Sequence, residues 1–450
     1  MSGCSHPAPR ERQGGKILLS FRDGVWYNLS RNEQERNEKA PFKGVQAMAT
    51  RHLIGIGGVG MSALATALVR LGDTVTGADR NLDTANIRFL RSLGIRCFSD
   101  DGSGVDAATD EVIVSTAIES ANPGLRRAHE LGVPVTHRAA ALSRALSGHK
   151  LVAVAGTCGK STVTAMLGHV LAECGLDPFC VNGANVPGWE GAVRAGKGAF
   201  AVAEVDESDK SLVAFHPYAA IVTNASADHY SKEEMDAVFD VFVAGVPGPV
   251  VDGRRERGEM PVSVPGRHNQ ANAYLAWRLA TALGCDAEQA RRALLTFGGV
   301  ERRLQAYGPR VYDDYAHNPE KLHAMWTTLA EKFPDGICVV WRPHGYAPLR
   351  KMKDALAAMF NAVIRPQDKL LLLPVYDAGG TADRTLNSDA LARELRPGVC
   401  EEVADLDAAE AWCAAHAHDF AAFATCGARD PGLPGLAARL AGHLAAEARG

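Results

Sequence analysis

The sequence predicts an α/β fold in three domains: an N-terminal Rossmann-like domain, a central phosphate-loop (P-loop) α/β domain and a C-terminal Rossmann-like α/β domain. Three observations carry that prediction. An apolar run breaks into glycines and re-enters with helical periodicity in HLIGIGGVGMSALATALVRLG, residues 52–72. The same sequence of events recurs in LVAVAGTCGKSTVT, residues 151–164. From about Glu301 onward, short apolar runs again alternate with helical segments, and their polar residues gather at the ends of the runs. Strands alternating with helices in this way build parallel sheets covered on both faces. The boundaries follow from composition: a polar extension over 1–50, a first domain over 51–148 that ends at Ser147-Gly148, a central domain over 149–300, and a third over 301–450.

A chain of 450 residues exceeds one ordinary core, and 46% apolar with 22% charged residues describes a globular protein. A net charge of −4 implies no general affinity for nucleic acid or anionic membranes. No run approaches the roughly 20 apolar residues needed to span a bilayer. The first thirty residues carry no apolar signal core, so a cytoplasmic location is expected. The 10 cysteines lack CxxC spacing and read as reduced, mostly buried thiols. Cys158 stands apart because it lies inside the second glycine loop.

Residues 1–50 are polar, with RNEQERNEKA at 31–40, except for KILLSFRDGVWYNL, whose alternation predicts a hairpin around Asp23-Gly24. The first domain then opens with Gly55, Gly57 and Gly60 in G-x-G-x-x-G spacing, and Asp79 ends the next strand, TVTGAD. Such glycines let a diphosphate approach the backbone, and an acid after the second strand suits a ribose or base. On these residues alone, NAD and other nucleotide diphosphates fit equally. Alternation continues through EVIVSTAI (111–118), ANPGLRRAHELG (121–132) and PVTHRAAALSRAL (134–146).

In the central domain the strand Leu151–Ala155 meets Gly156, Gly159, Lys160 and Ser161 before a helix over about 162–174. A strand that breaks at glycine and becomes a helix points backbone N–H groups and the positive helix terminus at one spot, which suits a polyphosphate. Lys160 adds a point charge for the outer phosphates, and the Ser161 hydroxyl is placed for Mg²⁺, so a nucleoside triphosphate is expected here. Strands follow at PFCVNG, AFAVAEVDESD and YAAIVTN. Glu204, Asp206, Glu207 and Asp209 crowd the end of the second of these, and His229 follows the third. One carboxylate and one histidine at neighbouring strand ends make a Mg²⁺ environment, with Asp206 and Asp209 read as capping or solvated. The stretch from His229 to Val264, including VAGVPGPVVDGRRERGEMP, reads as loop. A helix from Asn269 to Gly284 places Asn269 and Asn272 on one face, suited to amide contacts with a base.

The third domain offers strands at RVYDDYAH (310–317), ICVVWRPH (337–344), KLLLLPVY (369–376) and DFAAFATCGA (419–428), with Pro319 in the first turn of a helix. Asp313, Asp314, Tyr315, His317, Arg342, His344, Tyr376 and Asp377 form a polar rim at the strand ends, which is where an α/β sheet places its ligands.

Two glycine loops, a carboxylate–histidine pair, an H-N-x-x-N helix and a third α/β unit in this order resemble the Mur ligase family, the ATP-dependent amide ligases of peptidoglycan precursor synthesis. The stretches that carry the resemblance are HLIGIGGVGMSALA, VIVSTAI, VAVAGTCGKSTVTAM, VAEVDESDKS, AIVTNASADH, VPGRHNQANA, Arg302-Arg303, DDYAHNP and PVYDAGG, and they span most of the chain beyond residue 50. The resemblance implies that Gly57, Gly58, Val59, Gly60, Met61, Ser62, Asp79, Ser115 and Thr116 hold the UDP part of a substrate, which displaces the NAD reading. It implies that Gly156, Thr157, Gly159, Lys160, Ser161 and Thr162 cradle ATP, and that Ser161, Glu204 and His229 bind Mg²⁺. His268, Asn269 and Asn272 would lie at adenine, while Arg303 and Asp314 clamp the nucleotide from the third domain. Tyr315, His317, His344 and Arg350 would face the incoming amino acid, and Lys160, Glu204, His229, His317 and His344 form the implied catalytic set.

The implied partners are UDP-N-acetylmuramate and an amino acid or peptide, and the implied assembly is a monomer or homodimer. The implied chemistry activates a carboxylate as an acyl phosphate, which an amine then attacks. The chain departs from the pattern in two places. The segment between His229 and Gly266 is short, so a hairpin and a sheet strand of the central domain are expected to be missing. RPHGYAPLR has Gly345 and Pro348 where alanine-adding members carry arginines, leaving Arg342 or Arg350 to substitute. Addition of a peptide, a non-catalytic binding homologue, and a dehydrogenase that leaves the second loop unexplained are the competing readings.

Overall fold

The computed structural model describes residues 17–20, 26–29, 48–206, 212, 215–225, 232–377 and 383–447. The chain forms two compact units, residues 1–48 and 49–450. In the first, Ile17–Ser20 pairs antiparallel with Trp26–Leu29, the pairing expected of the hairpin, while Asp23-Gly24 lies outside the described residues.

The second unit contains three sheets in chain order. The first consists of β1 (Thr50–Ile54), β2 (Thr74–Asp79), β3 (Arg96–Ser99), β4 (Glu111–Val114) and β5 (Val135–His137), in the spatial order β3-β2-β1-β4-β5 and all parallel. The order reverses between β1 and β4, so the carboxyl end of β1 opens onto a switch-point crevice. Helices α1 (Val59–Arg70), α2 (Ala85–Ser92), α3 (Pro123–Leu131) and α4 (Arg138–Ala145) cover its faces.

The central sheet is built from β6 (Lys150–Ala155), β7 (Phe179–Val181), β8 (Val193–Ala195), β9 (Phe200–Glu204), β10 (Ala219–Val222) and β11 (Val250–Asp252), in the order β8-β7-β9-β6-β10-β11 with only β8 antiparallel. It carries α5 (Lys160–Glu173), α6 (Lys232–Ala244), α7 (Arg267–Ala282) and α8 (Ala287–Leu294). β6 lies in the middle of the sheet. Val152 and Val154 enter the core under α5 and α7, and Leu151, Ala153 and Ala155 enter the opposite core. That two-sided burial is why the strand reads as an unbroken apolar run.

The stretch read as loop between His229 and Val264 is not loop throughout. It contains α6 and the parallel strand β11, which pairs with β10. A three-residue strand between Pro249 and Gly253 is too short to show a periodicity. The element is held by Arg254, whose side chain donates to Asp252 (Nε to Oδ1, 2.9 Å) and Asp240 (Nη2 to Oδ1, 2.7 Å) and to the Asp236 carbonyl (3.0 Å). These bonds tie α6 to the sheet edge and hold the guanidinium pKa above its ordinary value.

The third sheet consists of β12 (Gln305–Ala306), β13 (Val311–Asp314), β14 (Ile337–Trp341), β15 (Lys369–Leu372), β16 (Cys400–Glu402) and β17 (Ala422–Cys426), in the order β12-β13-β17-β14-β15-β16. Its helices are α9 (Pro319–Lys332), α10 (Tyr346–Val363), α11 (Asp389–Ala392), α12 (Leu406–Ala415) and α13 (Gly432–Glu447). Asn318 caps α9 and Pro319 occupies its first turn, as the sequence predicts. The cysteines among the described residues are free thiols, and no helix among them is long and apolar enough to cross a membrane.

Candidate active site

Three strand-to-helix turns in this unit share one feature. The helices α2, α3, α8, α9 and α12 begin with a side chain (Thr84, Asn122, Asp286, Asn318, Asp405) accepting from their first turn. By contrast α1, α5 and α10 begin at Gly58, Gly159 and Gly345 with no side-chain cap, as does α7 at Gly266. Uncapped glycine starts leave backbone N–H groups open to an anion.

At α5 the phosphate loop is fastened from β10. Asn224 accepts at Oδ1 from the Thr157 hydroxyl (2.7 Å) and the Cys158 N–H (2.9 Å), and its Nδ2 donates to the Cys158 carbonyl (3.0 Å). Thr223 donates to the same carbonyl at 2.6 Å. Gly156, at φ 126°, lies where any Cβ would collide with the Thr223 hydroxyl. Gly159, at φ 84°, would bring a Cβ to 2.7 Å from Asn272 Oδ1. Lys160 donates its Nζ to the Gly156 carbonyl at 2.7 Å, folded across the mouth of the loop. Ser161 and Thr162 are buried in the first turn of α5. This cradle fits a polyphosphate.

At α1 the loop Gly57–Gly60 is held by Asp79, which accepts from Gly57 N–H at 2.9 Å and from Asn81 N–H at 3.0 Å. A Cβ on Gly57 would lie 2.9 Å from that carboxylate, so this glycine is required by the packing of Asp79 against the loop. Asn86 donates to the Gly57 carbonyl at 2.8 Å. Met61 and Ser62 turn their side chains into the protein, leaving their backbone to face a ligand. Ser115 and Thr116 follow β4 on the other side of the switch point.

The first loop reaches a cavity through Gly60, which lines it together with Leu64, Arg138, Ala139 and Leu142 from the first sheet's helices and Glu204, Asp206 and Phe215 from the central sheet. Arg138 reaches from α4 to Asp206 (Nη2 to Oδ2, 3.1 Å), and its other Nη lies 2.9 Å from where a Cβ on Gly60 would be. Asp206, read as capping or solvated, is therefore an ion-pair partner of the cavity wall. Glu204 accepts from Gly183 N–H at 2.8 Å through Oε2. Asn182 shares that N–H through its Oδ1 and leaves its own Nδ2 buried without an acceptor among the described residues. Glu204 and Ser161 supply hard oxygen donors of the type Mg²⁺ takes. His229, Glu207 and Asp209 lie outside the described residues, and among the described residues no three metal-ligating side chains cluster.

Asn269 and Asn272 both lie at the start of α7 and both are buried. Asn269 donates to the Pro265 carbonyl at 2.6 Å, and Asn272 sits beneath Gly159, so helix and phosphate loop are physically joined. His268 is exposed next to them.

In the third sheet, Asp313 is fully buried and pairs with Arg302 (Nε to Oδ2, 2.9 Å) and the Thr425 hydroxyl (2.6 Å). Asp314 accepts from the N–H groups of Leu304 and Ala316, each at 2.7 Å. Burial pushes both carboxyls above the usual carboxylate range, against the pull of Arg302 on the first and Arg303 on the second. Arg302 and Leu304 adopt φ 57° and 47°, an unusual pair of left-handed residues where the chain enters this sheet. Arg303 lies over the Tyr315 ring at 4.9 Å. His317 and His344 meet edge to face with centroids 4.8 Å apart, and Tyr315 meets His317 at 5.5 Å. Burial, then Arg429 and Lys321, bring His344 down to a pKa of about 4, so its imidazole is neutral at physiological pH.

The two arginines offered as replacements at the amino-acid end are both engaged. Arg342 donates to Asp430 (2.7 Å) and to the Pro374 carbonyl (3.1 Å), and exposed Arg350 pairs with Asp383 (2.9 Å). Sequence reasoning missed Arg138, the Thr223–Asn224 staple and Arg429. Each follows or faces a strand end, but only the folded chain shows which strand ends are neighbours.

Residues 50–150 match the family described as Mur ligase family, catalytic domain, and residues 300–429 match Mur ligase, glutamate ligase domain. A UDP-N-acetylmuramate–L-alanine ligase of Rubrobacter xylanophilus is 35% identical over 382 residues, 73% of this chain and 84% of the relative. The enzyme of the same name from Rhizobium etli is 31% identical over 429 residues, 81% of this chain and 90% of the relative. Among solved structures, the UDP-N-acetylmuramate–alanine ligase of Thermotoga maritima aligns with a TM-score of 0.72 at 25% identity, covering 89% of this chain and 99% of its own. A murein peptide ligase of Psychrobacter arcticus shares the fold, with a TM-score of 0.61 at 21% identity, over 88% of this chain and 98% of its own. With its two glycine loops, its three sheets and these relatives along most of its length, the chain belongs to the Mur ligase family.

Proposed function

We propose that the protein is an ATP-dependent ligase that joins L-alanine to the carboxylate of UDP-N-acetylmuramate through an acyl phosphate, in peptidoglycan precursor synthesis. The observation that carries this reading is the cavity that Gly60 of the diphosphate-type loop shares with Glu204, Asp206 and Arg138, in a central sheet whose neighbouring strand β6 leads into the fastened phosphate loop. Relatives named for this activity match most of the chain at 31–35% identity, which supports the choice of substrates. The domains assigned on this reading are 51–148 for the UDP-sugar, 149–300 for ATP and 301–450 for the amino acid.

The loop Gly57–Ser62 and Asp79 hold the UDP group, with Ser115 and Thr116 across the crevice. Gly156–Thr162 hold the ATP phosphates, and Lys160, leaving the Gly156 carbonyl, offsets charge on the transferring phosphoryl group. Ser161, Glu204 and His229 would hold Mg²⁺, which supplies further neutralisation of the phosphates. Arg138 stands beside the sugar carboxylate and steers it toward the γ-phosphate. Asn269, Asn272 and His268 receive adenine, and Arg303 and Asp314 close on the nucleotide from the third sheet. Positioning of carboxylate and phosphate in line is where most of the acceleration arises, because the protein does little covalent chemistry in phosphoryl transfer. A closed third domain keeps water from the acyl phosphate until the amine attacks. Cytoplasmic location and a monomeric or homodimeric state belong to the same reading.

Phosphate release from ATP, measured with UDP-N-acetylmuramate and a panel of amino acids and muropeptides, tests it. Release that requires both the UDP-sugar and L-alanine is expected. Lys160→Ala should lower kcat by about 10²–10³-fold while leaving UDP-sugar binding unchanged. Release supported only by a peptide would replace alanine with a peptide as the acceptor, and silence across the panel would make the chain a binding homologue.

A further inference from the structure

The carboxyl ends of β13, β17 and β14 are side by side, with Asp314, Cys426 and Trp341 in register. The residues that emerge there are Tyr315–His317, Gly427–Arg429 and Arg342–Gly345. Arg429 follows the middle strand, whose two neighbours lead to His317 and to His344. Its Nη1 lies 3.8 Å from where a Cβ on Gly345 would sit, and its charge reaches the His344 ring. The glycine therefore leaves open the space next to this guanidinium and exposes the uncapped start of α10.

The neighbouring arginines are committed: Arg302 to Asp313 and the Gly427 carbonyl, Arg342 to Asp430 and the Pro374 carbonyl. Arg429 is exposed and has no hydrogen bond or ion pair among the described residues. A guanidinium is a planar fork that matches a carboxylate with two parallel hydrogen bonds. The neutral imidazole of His344 adds a lone pair that accepts from an ammonium N–H without repelling it. Cation, open N–H groups and the neutral His344 ring thus lie at one switch point of the sheet, arranged for a small zwitterion.

We propose that Arg429 receives the carboxylate of the incoming amino acid, with the Gly345 end of α10 beside it and His317 and His344 at the amine end. This rests on the ligase reading above. It assigns specificity to the strand β17 rather than to the helix that carries Pro348 and Arg350. A free α-amino acid carries its carboxylate one carbon from its amine, so both groups can be held at this one end of the sheet.

The test compares wild type, Arg429→Ala and Arg429→Lys with saturating ATP and UDP-N-acetylmuramate, using L-alanine and L-alaninamide as acceptors. Arg429→Ala should raise KM for alanine by about 10- to 100-fold, leave KM for ATP and for the UDP-sugar unchanged, and accept alaninamide as readily as alanine. Arg429→Lys should fall between. The side chain is exposed and unbonded, so the variants should keep the wild-type melting temperature. If wild type turns over and Arg429→Ala keeps its KM for alanine and its preference over alaninamide, the assignment is overturned while the ligase reading stands. A wild type that releases no phosphate with any amino acid overturns both.

Discussion

His52 shows what a single buried side chain adds to this fold. It is 1% exposed on β1, its Nδ1 lies 2.9 Å from the Thr76 hydroxyl, and its ring faces Phe98. Burial brings its pKa down to about 4, although Asp106 and Asp100 pull it upward. The unfolded chain protonates this ring near 6.5. Between these two values the unfolded state holds the extra proton, so stability falls as pH falls. The contribution is complete above pH 6.5 and is lost toward pH 4, with a size of about 3 kcal/mol. Urea unfolding of wild type and His52→Asn at pH 7 and pH 4.5 should show a steeper loss for wild type; equal losses would contradict the burial argument. At the same scale, His344 is neutral for the same physical reason but faces the candidate acceptor site, where neutrality serves binding.

The turn from β6 to α5 is the element to which the proposed function assigns nucleotide binding. Gly159 combines a left-handed φ with contact to Asn272, whereas Gly175, at φ 79°, has nothing within 4 Å of its Cβ position. Gly175→Ala therefore costs only the backbone term, about 1–2 kcal/mol. Gly159→Ala pays the same term and also displaces Asn272, so thermal melts with and without ATP should show Gly175→Ala still stabilised by ATP and Gly159→Ala not. ATP stabilisation retained in both would remove Gly159 from the site. This turn was legible in the sequence because glycine at a strand end followed by Lys-Ser has a local cause, and the same holds for Gly57 and Asp79. The strand β11 was not legible: three residues give no period, and its position is fixed by the distant partners Asp236 and Asp240 through Arg254. Arg429 was hidden for a different reason. One arginine among many looks alike in sequence, and which of them lacks a carboxylate is decided only when Arg302 and Arg342 have found theirs.

Across the whole molecule, the cores show which parts move as one. The core on one face of the central sheet takes in Ala63 and Ala67 of α1 and Ala139 of α4, small side chains that let the first two sheets' layers approach closely. The cores of the third sheet draw only on residues beyond 303. The chain enters that sheet through Arg302 and Leu304, both at positive φ. The two glycine loops thus lie on sheets that share a core, with Gly60 and Glu204 lining the cavity where they meet, while Tyr315, His317, His344 and Arg429, proposed above for the acceptor, belong to a separately packed part. That division suits a reaction in two stages, activation followed by attack. Its central claim is that a sugar carboxylate oxygen bonds to the γ-phosphorus. UDP-N-acetylmuramate carrying ¹⁸O in its carboxylate, turned over with ATP and L-alanine, tests this directly. The account predicts that one labelled oxygen appears in the released phosphate for each amide formed; amide formation with no label in the phosphate would contradict it.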